Sequence, residues 1–203
     1  MGFVHSLLGA LGLAMFNASA LGQALPVPTV EYSADRVMET EKGTMTQKVF
    51  HAAGKERSEM NMGGMQSVMI LRPDQKAGYM LMPAQKMYQQ MDFAKARETV
   101  SGTPGEDVTI TEEGRETVEG LEATKYKLVT ADKKYGGFMW FTDQGIAVKM
   151  DLLSREDGKK SRITMTLKNL QVADQDDALF EVPAGYNKMP SFGGLSMPKT
   201  FGR

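Results

Sequence analysis

The chain has no cysteine among its 203 residues. That excludes disulfides, thiolate metal sites, cysteine nucleophiles and the lipidated cysteine that anchors a bacterial lipoprotein behind its signal peptide. Histidine is almost as scarce: beyond His5 in the N-terminal apolar segment, His51 is the one imidazole left. A serine triad would have to use it, and the sequence offers neither a nucleophile elbow nor an orienting acid, so no enzyme and no cofactor are expected. An excess of charge of one sign is missing too. Lys and Arg number 24 against 25 Asp and Glu, for a net charge of −1, which provides no basic field for nucleic acid and no polybasic patch for a membrane surface. Long apolar runs are also lacking. Val4 to Phe16 is shorter than the roughly 20 residues that cross a bilayer, so an integral membrane protein is not expected. Followed by Ala18-Ser19-Ala20 or Gly22-Gln23-Ala24, and with no charged side chain before Glu31, that run reads as a signal-peptide core with cleavage after Ala20 or Ala24. Its first residues carry only His5 and the start amine in place of the usual Lys or Arg. The expected division is a signal peptide over 1–24, one domain over 25–186 and a Gly-, Met- and Pro-rich tail over 187–203. The expected location is a bacterial periplasm or the medium.

What the chain has in quantity is methionine, 17 in all, concentrated between Met60 and Met91 as Met60, Met62, Met65, Met69, Met80, Met82, Met87 and Met91. Most neighbouring pairs are two or four residues apart, which on a strand places both side chains on one face. A thioether face is flexible, apolar and polarizable. Three uses compete for it: a packed core, a lining for acyl chains, or a Cu(I) or Ag(I) site in which His51 joins Met60, Met62 and Met65.

From Glu31 onward, two-residue alternation broken by turns predicts an antiparallel meander with one covered face. Strands are expected over 30–40, 44–51, 55–62, 65–72, 76–82 and 86–91, with Gly63-Gly64 as a tight hairpin turn. A short helix capped by Asp92 is expected over 92–99. Beyond it, strands are expected over 107–111, 115–118, 121–130, 138–141, 146–152 and around Ile163, Met165 and Leu167. Asp174, Asp176 and Asp177 lack the glycine and distal glutamate of a calcium loop and read as caps of a helical turn ending at Phe180. Glu112-Glu113 reads as a solvated turn. About ten strands and one helix exceed what a flat sheet tolerates, so the fold class is mainly β, a curved antiparallel sheet or incomplete barrel.

Gly43-Thr44-Met45-Thr46-Gln47-Lys48-Val49, the strand and turn Ile70-Leu71-Arg72-Pro73-Asp74, and the closing segment Leu179-Phe180-Glu181-Val182-Pro183-Ala184-Gly185-Tyr186 carry a resemblance. In this order they resemble the periplasmic lipoprotein-carrier fold of the LolA and LolB type, with the last segment similar to one in uncharacterised secreted bacterial domains of that fold. The resemblance implies an unclosed antiparallel barrel with an apolar, acyl-binding interior and an envelope lipoprotein as cargo. The chain departs from the carriers where their long N-terminal amphipathic helix would stand, since Val30 onward already alternates. No counterpart of the carriers' lid-holding arginine is assigned among Arg36, Arg57 and Arg72.

The residues and the resemblance together lead to an exported, non-enzymatic binding protein for a lipid or acyl chain. Its expected lining is Met60, Met62, Met65, Met69, Tyr79, Leu81, Met87 and Trp140, with Trp140 at the mouth where its indole N–H stays hydrated. The Cu(I) or Ag(I) binder and a filled-core interaction module of the cell envelope are the alternatives.

Overall fold

The computed structural model describes residues 24–93, 108–156 and 159–189. These residues form β1 (Tyr32–Thr40), β2 (Gly43–Ala52), β3 (Lys55–Met62), β4 (Met65–Arg72), β5 (Ala77–Met82), β6 (Met87–Asp92), β7 (Val108–Val118), β8 (Leu121–Thr130), β9 (Tyr135–Phe141), β10 (Ala147–Glu156), β11 (Lys159–Val172) and β12 (Asn187–Lys188). All twelve belong to one sheet, in the order β12-β6-β5-β4-β3-β2-β1-β11-β10-β9-β8-β7. Every pairing is antiparallel except the short parallel one of β12 with β6. The sheet is mainly β, open and curved, as expected, with twelve strands where about ten were expected. β7 joins two predicted strands across a bulge between Glu112 and Gly114, so Glu112-Glu113 lies inside a strand and not in a turn. The expected helix falls mostly outside the described residues, and Asp92 itself ends β6.

Turn chemistry sets the strand boundaries. Gly63 and Gly64, with φ of +58° and +85°, make the two-residue turn between β3 and β4 that positive dihedrals require. Pro73–Gln75 and Pro83–Gln85 each form one 3-10 turn closed by a left-handed lysine, Lys76 and Lys86, so β4, β5 and β6 follow one another through near-identical connections. Curvature follows from the topology. β6 and β7 are consecutive in sequence yet stand ten strand spacings apart in the sheet, an arc of about 48 Å at 4.8 Å per spacing. Sheets of that many strands curl, which shortens the chord between their two edges.

Two apolar clusters hold the sheet. The larger joins β1, β2 and β7 to β11, with Tyr32, Met38, Val49, Tyr126, Leu128 and Val148 among its buried members. The smaller lies on the opposite face of β2 to β6, where Ala52, Val68, Ile70 and Leu81 pack against Phe180. Phe180 ends a 3-10 turn over Asp177–Phe180, capped by the Asp176 carboxylate accepting from the Ala178 N–H at 2.9 Å. That is the capped turn the sequence predicted.

Candidate functional site

Register turns the methionine pattern into a surface. Met139 stands opposite Met150, Met150 opposite Met165, Met165 opposite Met38, and Met38 opposite Met45, a row of thioethers across β9, β10, β11, β1 and β2. Directly opposed residues share a face, and the same parity runs on through β3 to β6. Gln47 pairs with Met60, Met60 with Ser67, Ser58 with Met69, Met69 with Met80, Met62 with Met65, Met82 with Met87, and Gly78 with Met91. Every methionine in a strand therefore occupies a position on one face of the sheet.

That face has two parts. Met38, Met139, Met150 and Met165 are at most 3% exposed and belong to the larger cluster. Met60, Met69, Met80, Met82, Met87 and Met91 are half-buried and belong to neither cluster, and Met65 at the β3–β4 turn is 72% exposed. One end of the thioether face is thus a packed core and the other, on β3 to β6, is a partly open apolar surface.

Of the predicted lining, Met60, Met65, Met69 and Met87 come together on this open part, with the backbone position of Met62 beside them. Tyr79 and Leu81 do not. They occupy the alternate positions of β5, on the opposite face, in or against the Phe180 cluster. Trp140 is next to Met139 and so also faces away. It is 4% exposed, its indole N–H donates to the Glu116 carboxylate at 2.9 Å, and the Lys125 and Lys149 ammonium groups lie 5.2 Å and 4.6 Å from its ring centre. Trp140 is thus buried beneath charged groups, not at a wet mouth. The alternative metal set is split as well. His51 pairs with Glu56, four residues along β3 from Met60, roughly 13 Å at strand rise. Among the described residues no group of three or more His, Cys, Asp or Glu is placed to hold a metal ion.

Bordering the open methionines on β1, β2 and β3 is a buried polar group that sequence reasoning missed. Arg36, Gln47, His51, Glu56 and Ser58 are each at most 8% exposed. Arg36 donates to Glu56 twice, from Nη1 to Oε1 at 3.0 Å and from Nη2 to Oε2 at 3.2 Å, the geometry that suits a guanidinium to a carboxylate. Burial alone would lower the Arg36 pKa, but the Glu56 charge and hydrogen bonds outweigh it and the pKa rises. His51 stacks on Tyr32, with ring centres 5.2 Å apart and planes at 17°. Burial also pushes the Tyr32 phenol up, with the Glu56 charge adding to it, so the phenol stays protonated. Gln47 donates from Nε2 to the Met60 sulfur at 4.0 Å, which links the polar group to the apolar surface. A signal was present in the sequence: these residues stand at even spacing from Met38, Met45 and Met60, so they share the methionine parity.

His51 gives the group a pH dependence. Burial, the largest influence, lowers its pKa below 6.5; the Glu56 charge opposes this and the Arg36 charge adds to it. The unfolded chain therefore takes up the proton first as pH falls, and stability declines below about pH 6.5, by at most about 1.4 kcal/mol per pH unit. Urea unfolding at pH 7.5 and 5.5 measures the difference, and His51→Gln is expected to reduce it.

Comparison with known proteins adds the following. No curated protein matches the chain. An uncharacterised conserved protein from Thermus thermophilus superposes with a TM-score of 0.56 at 10% identity, over 79% of this chain and 90% of the other. The Pseudomonas aeruginosa MucA/MucB complex matches at a TM-score of 0.48 and 18% identity, over 74% of this chain and 55% of the other. A putative outer membrane lipoprotein-sorting protein domain from Vibrio parahaemolyticus matches at 0.27 and 8%, over 74% and 89%. These likenesses concern the fold alone. The family model for a domain of unknown function, DUF4412, covers residues 35–149, from the middle of β1 into β10, and the chain belongs to that family.

Proposed function

We propose that this chain is an exported, non-enzymatic binding protein of the bacterial periplasm or medium, and that its ligand is a lipid or acyl chain lying on the methionines of β3 to β6. One observation carries the reading: the strand methionines occupy positions on one face, and Met60, Met69, Met80, Met82, Met87 and Met91, beyond the packed core, are left only half-buried on it. A face built only for core would be closed along its whole length, as it is from β9 to β1. Transfer of a chain from water contributes about 0.8 kcal/mol per buried methylene, and unbranched thioethers adapt to chains of varied shape. An envelope lipoprotein, which presents acyl chains, is a cargo of the same chemistry.

Native mass spectrometry of the protein purified from the periplasm tests this. Lipid-sized adducts are expected; a bare polypeptide mass that also fails to retain added fatty acid or phospholipid would sink the reading. Met80→Glu supplies a site-directed arm. It puts a carboxylate under the acyl chain at a half-buried position and is expected to weaken binding roughly 30-fold, from lost contact and the cost of desolvating the charge. Thr46→Glu, on the opposite face and exposed, leaves binding unchanged.

A further inference from the structure

Arg36 and Gln47 stand directly opposite each other on β1 and β2. They are 2% and 1% exposed, and each has one polar atom without a hydrogen-bond partner: the Arg36 Nε–H, a donor, and the Gln47 Oε1, an acceptor. Buried polar atoms are nearly always paired. A donor and an acceptor left open on facing residues, beside an apolar surface, complement a group that both accepts and donates. Charge narrows the choice. The Arg36 guanidinium is already matched by Glu56, and the neighbouring His51 and Tyr32 are held in their uncharged forms by burial. The polar group is thus neutral as a whole and has no spare positive charge for a carboxylate or phosphate, whose desolvation would go uncompensated. Met60 stands between this corner and the open methionines, touching the Gln47 amide. Its side chain is half-buried and unbranched, and so is suited to swing aside.

We propose that Arg36 and Gln47 form a head-group subsite for an uncharged amphiphile, one whose hydroxyl or amide head accepts from Arg36 and donates to Gln47 while its hydrocarbon body crosses the methionines of β3 to β6. The proposal rests on the reading of that face as a lipid-binding surface. An ester head can only accept, and an ionised acid can only accept and also brings a charge.

Three probes with the same hydrocarbon chain separate these cases: 1-monoolein, methyl oleate and oleate, each titrated at pH 8 against the full chain by displacement of an apolar fluorescent dye. Monoolein is expected to bind about tenfold tighter than either of the others, the effect of one buried hydrogen bond. Gln47→Met keeps the volume and removes the acceptor, so it brings monoolein down to the level of methyl oleate and leaves methyl oleate where it was. Equal affinities for the three probes, or oleate the tightest, overturn the head-group assignment and leave the lipid-binding face standing. Failure of all three to bind removes the lipid reading itself. The comparison among probes uses the unaltered protein, so it decides the matter even where Gln47→Met does not fold.

Discussion

Glu56→Ala lowers the free energy of unfolding by about 3–5 kcal/mol, as read from urea denaturation with an unchanged m-value. The size follows from what the substitution leaves behind. Arg36 is 2% exposed and loses both of its charge-assisted bonds, and a guanidinium cannot shed its proton to escape the cost. Stability of a domain this size is typically about 5–15 kcal/mol, so the loss is a large share of the whole. A companion variant separates the worth of the pair from the penalty of the orphaned charge. Arg36→Met with Glu56→Leu removes both ions and fills their space with apolar atoms, and is expected to cost less than about 1.5 kcal/mol. A loss below about 1 kcal/mol for Glu56→Ala alone would mean that Arg36 finds water or another acceptor when Glu56 is absent.

The Arg36–Glu56 pair also marks the limit of what the sequence discloses. Strand positions were legible because alternation and turn residues are local: 55–62, 65–72 and 121–130 are β3, β4 and β8 to the residue. The parity of the methionines was legible for the same reason. Tyr79, Leu81 and Trp140 were drawn into the lining by their apolar character, although each is one residue from a methionine and must face the other way. Parity was the stronger signal there. What no local pattern shows is which strands lie side by side. β1 pairs with β11 across most of the chain, and Arg36 meets Glu56 by reaching over β2 to β3. Nor does alternation tell whether a face is closed. The same thioether row is packed at Met139 and Met150 and half-open at Met69 and Met80, because closure depends on how far the sheet curls.

Phe180→Ala is expected to cost about 3–5 kcal/mol, through a mechanism on the opposite face. The ring is fully buried against Ala52, Val68, Ile70 and Leu81, and among the described residues it is the one buried side chain of that cluster that comes from outside the sheet. Around the ring is a polar clasp. Arg57 donates to the Leu179 carbonyl at 3.0 Å and Arg72 to the Phe180 carbonyl at 3.1 Å; Arg72 also pairs with Glu181, and Lys55 with Asp177 at 2.5 Å. The clasp alone does not exclude water from Val68 and Ile70, since its outer carboxylates are mostly exposed. Loss of the ring therefore loosens the whole closing segment. Past it, Gly185 at φ +83° turns the chain so that Asn187 donates to the Lys86 carbonyl at 2.8 Å and Met189 to the Tyr88 carbonyl at 2.7 Å. Those bonds cover the outer edge of β6, which would otherwise be free to pair with another chain. Two readouts follow beyond the loss of stability: faster amide exchange at Asn187 and Met189, and concentration-dependent association through the uncovered edge. Lipid retention on the methionine face should persist at temperatures where the variant is folded, because the two faces share only backbone; loss of both together would show that the closing segment also shapes the site.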